Sequence, residues 1–313
     1  MKRIFLLLML LSFLASCNRI LTQGTRRPKQ TGTTKLPKAT TRPDPQGKES
    51  PLVKEAGIKR YYLKVDDVTR TFLVQLPVGY SPAKTYPIIF FFHSIRGKDS
   101  SWIAARSANT YVDKNGYIAV YGQGANGGYW NVGGAYPFKK VSEPHFVQAM
   151  YNWLTSNTSI DSKRVYAVGT SNGAILVHYL ALQTHLFAAI SSIAGSLYVD
   201  EMNASAKQIA VLQFHGTIDK TVPYDGGYNP WGYTFLSAQN TAKEWAKVNG
   251  CDAEPAVTDL LNGKVKAYTY NNCKTGKPVI LYSLPNVPHK VMQSFDADWM
   301  YNQIFDFFHN NAQ

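Results

Sequence analysis

A serine hydroxyl is a poor nucleophile until a base takes its proton, and a histidine base needs a carboxylate to fix its tautomer. The chain offers such a set at Ser171, Asp219 and His289. Ser171 is the centre of Gly169-Thr170-Ser171-Asn172-Gly173, which follows the strand-like stretch 164–168 and precedes the helix-compatible Ala174-Ile175-Leu176-Val177-His178. Glycines on both sides let strand and helix approach closely while the serine is held on a strained, exposed turn. This context predicts acyl transfer with Ser171 as nucleophile. Asp219 stands just past the apolar stretch 209–215, at a strand's carboxyl end, where open α/β sheets assemble their sites. Asp225, in the next loop, is the competing carboxylate. Only His289 and His309 lie downstream of Asp219. His289 follows the strand-like stretch 278–284, whereas His309 belongs to the C-terminal helix, so His289 is the expected base. His93 and His215 are expected to brace turns at strand ends, and His145, His178 and His185 read as ordinary helix or loop residues.

The oxyanion of a tetrahedral intermediate needs two preorganised donors. The backbone N–H of Asn172 is one, at the start of the helix. The other is expected from the turn 94–97, with the N–H of Ile95 favoured. For the substrate, Trp130 and the aromatic loop carrying Tyr228, Trp231 and Tyr233 are the candidates, because flat rings offer apolar area at low entropic cost.

These groups need a scaffold that gathers strand ends. Strand-like stretches at 60–64, 70–76, 88–93, 117–121, 164–168, 188–193, 209–215 and 278–284 alternate with helical patterns, which predicts an α/β fold with a mostly parallel central sheet and helices on both faces. Ile88-Ile89-Phe90-Phe91-Phe92 and Ile209-Ala210-Val211-Leu212 are continuously apolar, as central strands covered on both sides must be. The first two stretches alternate and predict an antiparallel edge. Phe146, Val147, Met150, Trp153 and Leu154 share one helical face. Further helices are expected after Ser171, over 237–248 and over 296–308, the last with Trp299, Ile304, Phe307 and Phe308 as a core stripe. The stretch 224–233 is too rich in Gly and Pro for a regular element and reads as an aromatic loop.

The chain has 313 residues, 45% hydrophobic and 17% charged, enough apolar material for one large α/β domain and too much for wholesale disorder. The net charge of +13 would suggest an anionic partner, but it is concentrated near the N-terminus: Lys2 and Arg3 give +2, and residues 18–50 give +6 from eight Lys/Arg against Asp44 and Glu49. The remaining +5 is spread over residues 51–313 without a basic run, so no nucleic-acid partner is expected. Lys2 and Arg3 precede the apolar run 4–14, shorter than the ~20 residues of a membrane span and suited to a signal peptide. It ends in Leu14-Ala15-Ser16-Cys17, which resembles the lipobox of bacterial lipoproteins. The expected organisation is therefore a signal peptide over 1–16, a lipidated Cys17 with a flexible basic Thr/Pro-rich tether over 17–52, and a catalytic domain over 53–313. That places the protein at the bacterial cell envelope, the outer membrane favoured, or outside the cell. With Cys17 acylated and the chain exported to an oxidising compartment, Cys251 and Cys273 remain to form a disulfide. No C-x-x-C or paired-His spacing accompanies them, so no metal is expected.

Taken together, Y-P-I-I-F-F-F-H before the turn 94–97, N-G-Y-I-A-V-Y-G followed by Trp130-Asn131, I-D-S-K-R-V-Y-A-V-G-T-S-N-G-A around Ser171, F-A-A-I-S-S-I-A-G, H-G-T-I-D-K-T-V-P-Y and the N-G-C at Cys251 resemble the α/β-hydrolase family of secreted polyhydroxybutyrate depolymerases and feruloyl or acetyl xylan esterases. The resemblance covers most of residues 70–310. It implies a serine carboxylester hydrolase without metal or organic cofactor, and supports Ser171, Asp219 and His289 residue by residue. Feruloyl or acetyl esters of plant polysaccharide are the favoured substrates, polyhydroxybutyrate the alternative, and a catalytically impaired binding lipoprotein the alternative of another class. Two departures stand out. His93 is followed by Ser94 where the group has glycine, and Asn286-Val287-Pro288-His289-Lys290-Val291 replaces a Gly-rich approach to the base.

Overall fold

The computed structural model describes residues 40–41, 56–105, 107–133, 141–203, 205–229 and 232–313. The signal peptide, Cys17, most of the tether, and Trp231 lie outside the described residues. In chain order the elements are β1 (Thr40–Thr41), β2 (Gly57–Val65), β3 (Val68–Leu76), β4 (Tyr86–Phe92), α1 (Ser101–Ala104), α2 (Ala108–Asn115), β5 (Ile118–Gly122) and α3 (Ala125–Gly128). They continue with α4 (Glu143–Asn157), β6 (Ile160–Thr170), α5 (Asn172–Gln183), β7 (Ala189–Ile193), β8 (Ala210–Gly216), β9 (Gly227–Tyr228) and β10 (Thr234–Phe235). The last are α6 (Ala238–Asn249), β11 (Ala256–Leu260), β12 (Val265–Tyr270), β13 (Val279–Leu284), α7 (Val291–Ser294) and α8 (Ala297–His309).

One sheet carries the order β1-β2-β3-β5-β4-β6-β7-β8-β13-β12-β11. Its middle, from β5 through β4, β6, β7 and β8 to β13, is parallel, and both flanks are antiparallel. Side chains of successive strand residues point to opposite faces. Ile88, Phe90 and Phe92 therefore enter one core with Phe146, Met150, Leu176, Leu180 and Trp245 of α4, α5 and α6. Ile89 and Phe91 enter the other with Val112, Met300, Ile304 and Phe305 of α2 and α8. Both faces of β4 and β8 are covered, so all seven residues of each are buried, including Gln213 and His215 of β8.

Helix ends carry the expected signals. Ser237 caps α6 by accepting from Asn240 N–H, and Asp296 caps α8 by accepting from Trp299 N–H. A disulfide joins Cys251, just after α6, to Cys273, just after β12.

Three features depart from the sequence reading. The hairpin of β11 and β12 extends the sheet beyond β13, with Leu261 and Asn262 at positive φ in its turn. Within 224–233, β9 pairs with β10, just beyond that stretch, as a small ribbon, so the aromatic segment is partly regular. Thr40 and Thr41, inside the stretch read as tether, pair with Lys64 and Leu63.

Candidate active site

The turn between β6 and α5 holds Ser171 at φ 55, ψ −119, outside the regions an L-residue favours and costing on the order of 1–3 kcal/mol. It is locked from both sides. Ser171 N–H donates to Ile193 O (2.9 Å), while Ser171 O accepts from Ala174 and Ile175 N–H (2.8 and 3.0 Å). The flanking glycines are required by contact: a Cβ on Gly169 would lie 2.0 Å from Gly173 O, and one on Gly173 2.3 Å from Phe92 O.

Ser171 Oγ lies 2.8 Å from His289 Nε2, and His289 Nδ1 lies 2.7 Å from Asp219 Oδ2. A carboxylate can only accept, so the proton of His289 sits on Nδ1, and Nε2 is left to accept from the serine hydroxyl. The three residues arrive from the carboxyl ends of β6, β8 and β13. Asp219 is fully buried, its Oδ1 accepting from Thr221 and Val222 N–H at 2.8 and 3.1 Å. Burial alone would raise its pKa, but the hydrogen bonds from His215 and His289 outweigh it and bring the value down to about 2. Asp225 is exposed and makes no bond with His289.

The N–H of Ile95, in the turn after β4, and the N–H of Asn172, at the first position of α5, make no hydrogen bond to another described residue. The turn 94–97 is held by His93, fully buried, whose Nε2 accepts from Gly124 N–H (3.0 Å) while Nδ1 donates to Ser94 O (2.7 Å). Arg96 takes φ 58, with its N–H on Gly128 O at 2.8 Å. Ser94 has no positive φ, so its Cβ brings no backbone strain where the related group carries glycine.

Trp130 is a correction. Its ring is fully buried and cannot stack on a substrate. The indole Nε1–H donates to His93 O (2.8 Å), its backbone N–H donates to Asn172 Oδ1 (2.9 Å), and Asn172 Nδ2 donates back to Trp130 O (3.3 Å). Trp130 thus ties the strand before Ile95 to the helix that begins at Asn172. The strut has a base that sequence reasoning missed: Glu143, at the start of α4, pairs in the interior with Arg70 (2.7 Å) and accepts from Asn131 N–H (3.1 Å). A buried charge of each sign, Arg70 on β3 and Glu143 beside a helix-capping Ser142, was the available signal.

The other aromatic candidates divide. Tyr228 is 73% exposed. Tyr233 is half-buried against Tyr198, with ring centroids 5.4 Å apart, so much of its face is occupied within the protein. His178 is fully buried, accepts from Trp245 Nε1–H (3.1 Å), and is held neutral at about 3 by burial, with His215 adding to the shift. Among the described residues, no group of three or more His, Cys, Asp or Glu is placed to hold a metal.

Residues 140–254, which include Ser171 and Asp219, match the phospholipase/carboxylesterase family. Feruloyl esterase B of Piromyces equi is 30% identical over 232 residues, 70% of this chain and 42% of that protein. The chain spans between 42% and 64% of the lengths of the feruloyl esterases it matches. An acetyl xylan esterase from Aspergillus awamori superposes with a TM-score of 0.60 at 16% identity, covering 80% of this chain and 99% of that one. A ferulic acid esterase from Anaeromyces mucronatus superposes with a TM-score of 0.52 at 18% identity, covering 88% and 99%. With Ser171, Asp219 and His289 brought together at the carboxyl ends of β6, β8 and β13 of a mostly parallel sheet, the chain has the α/β-hydrolase fold, and its sequence relatives are feruloyl and acetylxylan esterases.

Proposed function

We propose that the protein is a serine carboxylester hydrolase that works through an acyl-enzyme. The observation that carries this reading is the continuous relay from Ser171 Oγ through His289 to Asp219, with contacts of 2.8 and 2.7 Å. Ser171 attacks the ester carbonyl as His289 Nε2 takes its proton. The Ile95 and Asn172 N–H groups receive the oxyanion, and the imidazolium, held by Asp219, returns the proton to the leaving alcohol. Water then enters by the same route and releases the acid, which restores Ser171.

Hydroxycinnamoyl and acetyl esters of plant polysaccharide are the substrates we favour, since the named relatives are feruloyl and acetylxylan esterases. The exposed ring of Tyr228 and the exposed Ile95 and Ile218, which adjoin the oxyanion turn and Asp219, offer apolar surface for an aromatic acyl group. We assign export and anchoring to the N-terminal segment, with Cys17 acylated and residues 18–52 as a tether. Mass spectrometry of the native protein tests that assignment, and an N-terminus downstream of Cys17 without lipid refutes it.

The test of the activity is a parallel assay on methyl ferulate, acetylated xylan and 3-hydroxybutyrate oligomers, with labelling by a serine-directed phosphonate. Turnover of the first two, abolished in Ser171→Ala, is expected. Full activity in Ser171→Ala refutes the mechanism, absence of both turnover and labelling favours a binding scaffold, and preference for the hydroxybutyrate esters overturns the substrate order.

A further inference from the structure

Asp219 has a second histidine. His215, the residue before the last of β8, is fully buried, and its Nε2 lies 2.9 Å from Val222 O and 3.3 Å from Asp219 Oδ2, the same oxygen that accepts from His289. Both neighbours of Nε2 are acceptors, so Nε2 carries a proton. On the other side of the ring, Nδ1 is buried without a hydrogen-bond partner among the described residues. A second proton there would be a buried donor with no acceptor, in a surrounding that also holds His178 and the ring of Tyr224, edge-on with centroids 5.8 Å apart. The geometry therefore selects a neutral ring with its single proton on Nε2, shared between the turn that carries Asp219 and the carboxylate itself.

We propose that His215 is a positioning residue of the acid–base relay: its Nε2–H clamps the turn at Val222 and draws charge off Asp219 Oδ2, so that the carboxylate orients His289 without holding it protonated. This rests on the proposed esterase reading for its effect on rate. Backbone N–H groups of Thr221 and Val222 occupy Oδ1, and His289 and His215 share Oδ2, so each carboxylate oxygen has two nitrogens facing it. Removing His215 leaves Oδ2 to His289 alone. A less shared negative charge favours the imidazolium, and the base then stays protonated to higher pH. The exposed Lys220 and Lys290, next in sequence to Asp219 and His289, remain in every variant and cannot produce that difference.

The test is histidine-selective NMR with nitrogen-15 labelling on the full chain, which needs no turnover and so separates this proposal from the assigned activity. In the wild type His215 is expected neutral with its proton on Nε2; a proton on Nδ1 overturns the proposal without any variant. The titration midpoint of His289 is expected to rise by about half a pH unit or more in His215→Phe or the more flexible His215→Met, neither of which has a donor, and to stay near wild type in His215→Gln, whose amide N–H reaches the same place. The acid limb of kcat/KM on an aryl ester should move with that midpoint, and plateau kcat should fall on the order of tenfold in the Phe and Met variants, the worth of one hydrogen bond to a charged group. A midpoint equal in wild type, Phe, Met and Gln, with only thermal stability lowered, would reduce His215 to packing.

Discussion

Trp130→Phe separates two roles for the same ring. The substitution keeps an aromatic ring in the core and the backbone bonds to Asn172, but deletes the indole N–H that donates to His93 O at 2.8 Å. Leaving that buried carbonyl without this donor costs about 1–3 kcal/mol, and the lost ring volume adds to it. At roughly 2–4 °C per kcal/mol for a domain of this size, the melting temperature should fall by several degrees. The catalytic effect has a different origin. His93 is two residues before Ile95, and the indole fixes it relative to the helix that begins at Asn172, so the separation of the two proposed oxyanion donors loses a constraint. Removing one oxyanion donor outright costs about 100- to 1,000-fold in a comparable enzyme, and loosening one should cost on the order of tenfold. Steady-state kinetics on an acetyl and a feruloyl aryl ester, beside thermal unfolding, decide the matter. Equal falls in kcat for both esters, with KM little changed, are expected. A fall confined to the feruloyl ester and expressed in KM would mean that the ring does meet the acyl group, and unchanged kcat with lowered melting temperature would refute the coupling.

Other consequences are more direct. The folded Asp219 carboxyl sits near 2, below the ordinary 3.8, so its contribution is fully present above about pH 4 and is lost as pH falls toward 2. Denaturant unfolding of wild type and Asp219→Asn across pH 2–5 should show their stability difference shrinking by about 2 kcal/mol toward the acid end, and a constant difference would refute the depressed value. Breaking the interior Arg70–Glu143 pair by Glu143→Gln strands a buried guanidinium and should cost about 3–5 kcal/mol in chemical denaturation, with activity falling as the Asn131 and Trp130 segment loosens. Reducing the Cys251–Cys273 disulfide, whose partners are 22 residues apart, should lower stability by about 3 kcal/mol and leave kcat on short aryl esters unchanged, since neither cysteine touches the relay.

The parts legible in the sequence share a physical property: their signal is local. The elbow needs glycines two residues either side of Ser171 because backbone atoms approach there, and β4 and β8 read as central strands because each residue meets a helix layer on one face or the other. Asp219 and His289 were legible because each follows such a strand within a few residues. What stayed hidden depends on partners far along the chain. Nothing near Trp130 says that its indole will reach His93, 37 residues earlier, and nothing near Glu143 announces Arg70, 73 residues earlier. The hairpin of β11 and β12 was missed for another reason. The five residues of β11 are exposed or partly exposed, so it lacks apolar alternation, and the Asn262-Gly263 pair in its turn was the one short-range signal available.

The two turns that carry the proposed oxyanion donors have a common design. Each places a non-glycine residue at positive φ beside a free N–H: Arg96, at 58°, follows Ile95, and Ser171, at 55°, precedes Asn172. Such conformations persist only where the surroundings over-determine them. Here a backbone N–H bond anchors each strained residue, Arg96 N–H to Gly128 O and Ser171 N–H to Ile193 O, and the Trp130 strut joins the two turns. Ser94, next to His93, lies outside this strained pair: its carbonyl accepts from His93 Nδ1 and from Gly97 N–H, and its backbone is not left-handed. The backbone bonds shape the turn there, so a side chain at position 94 changes the wall beside the donors while the donors themselves remain where the strut and the two strained residues put them.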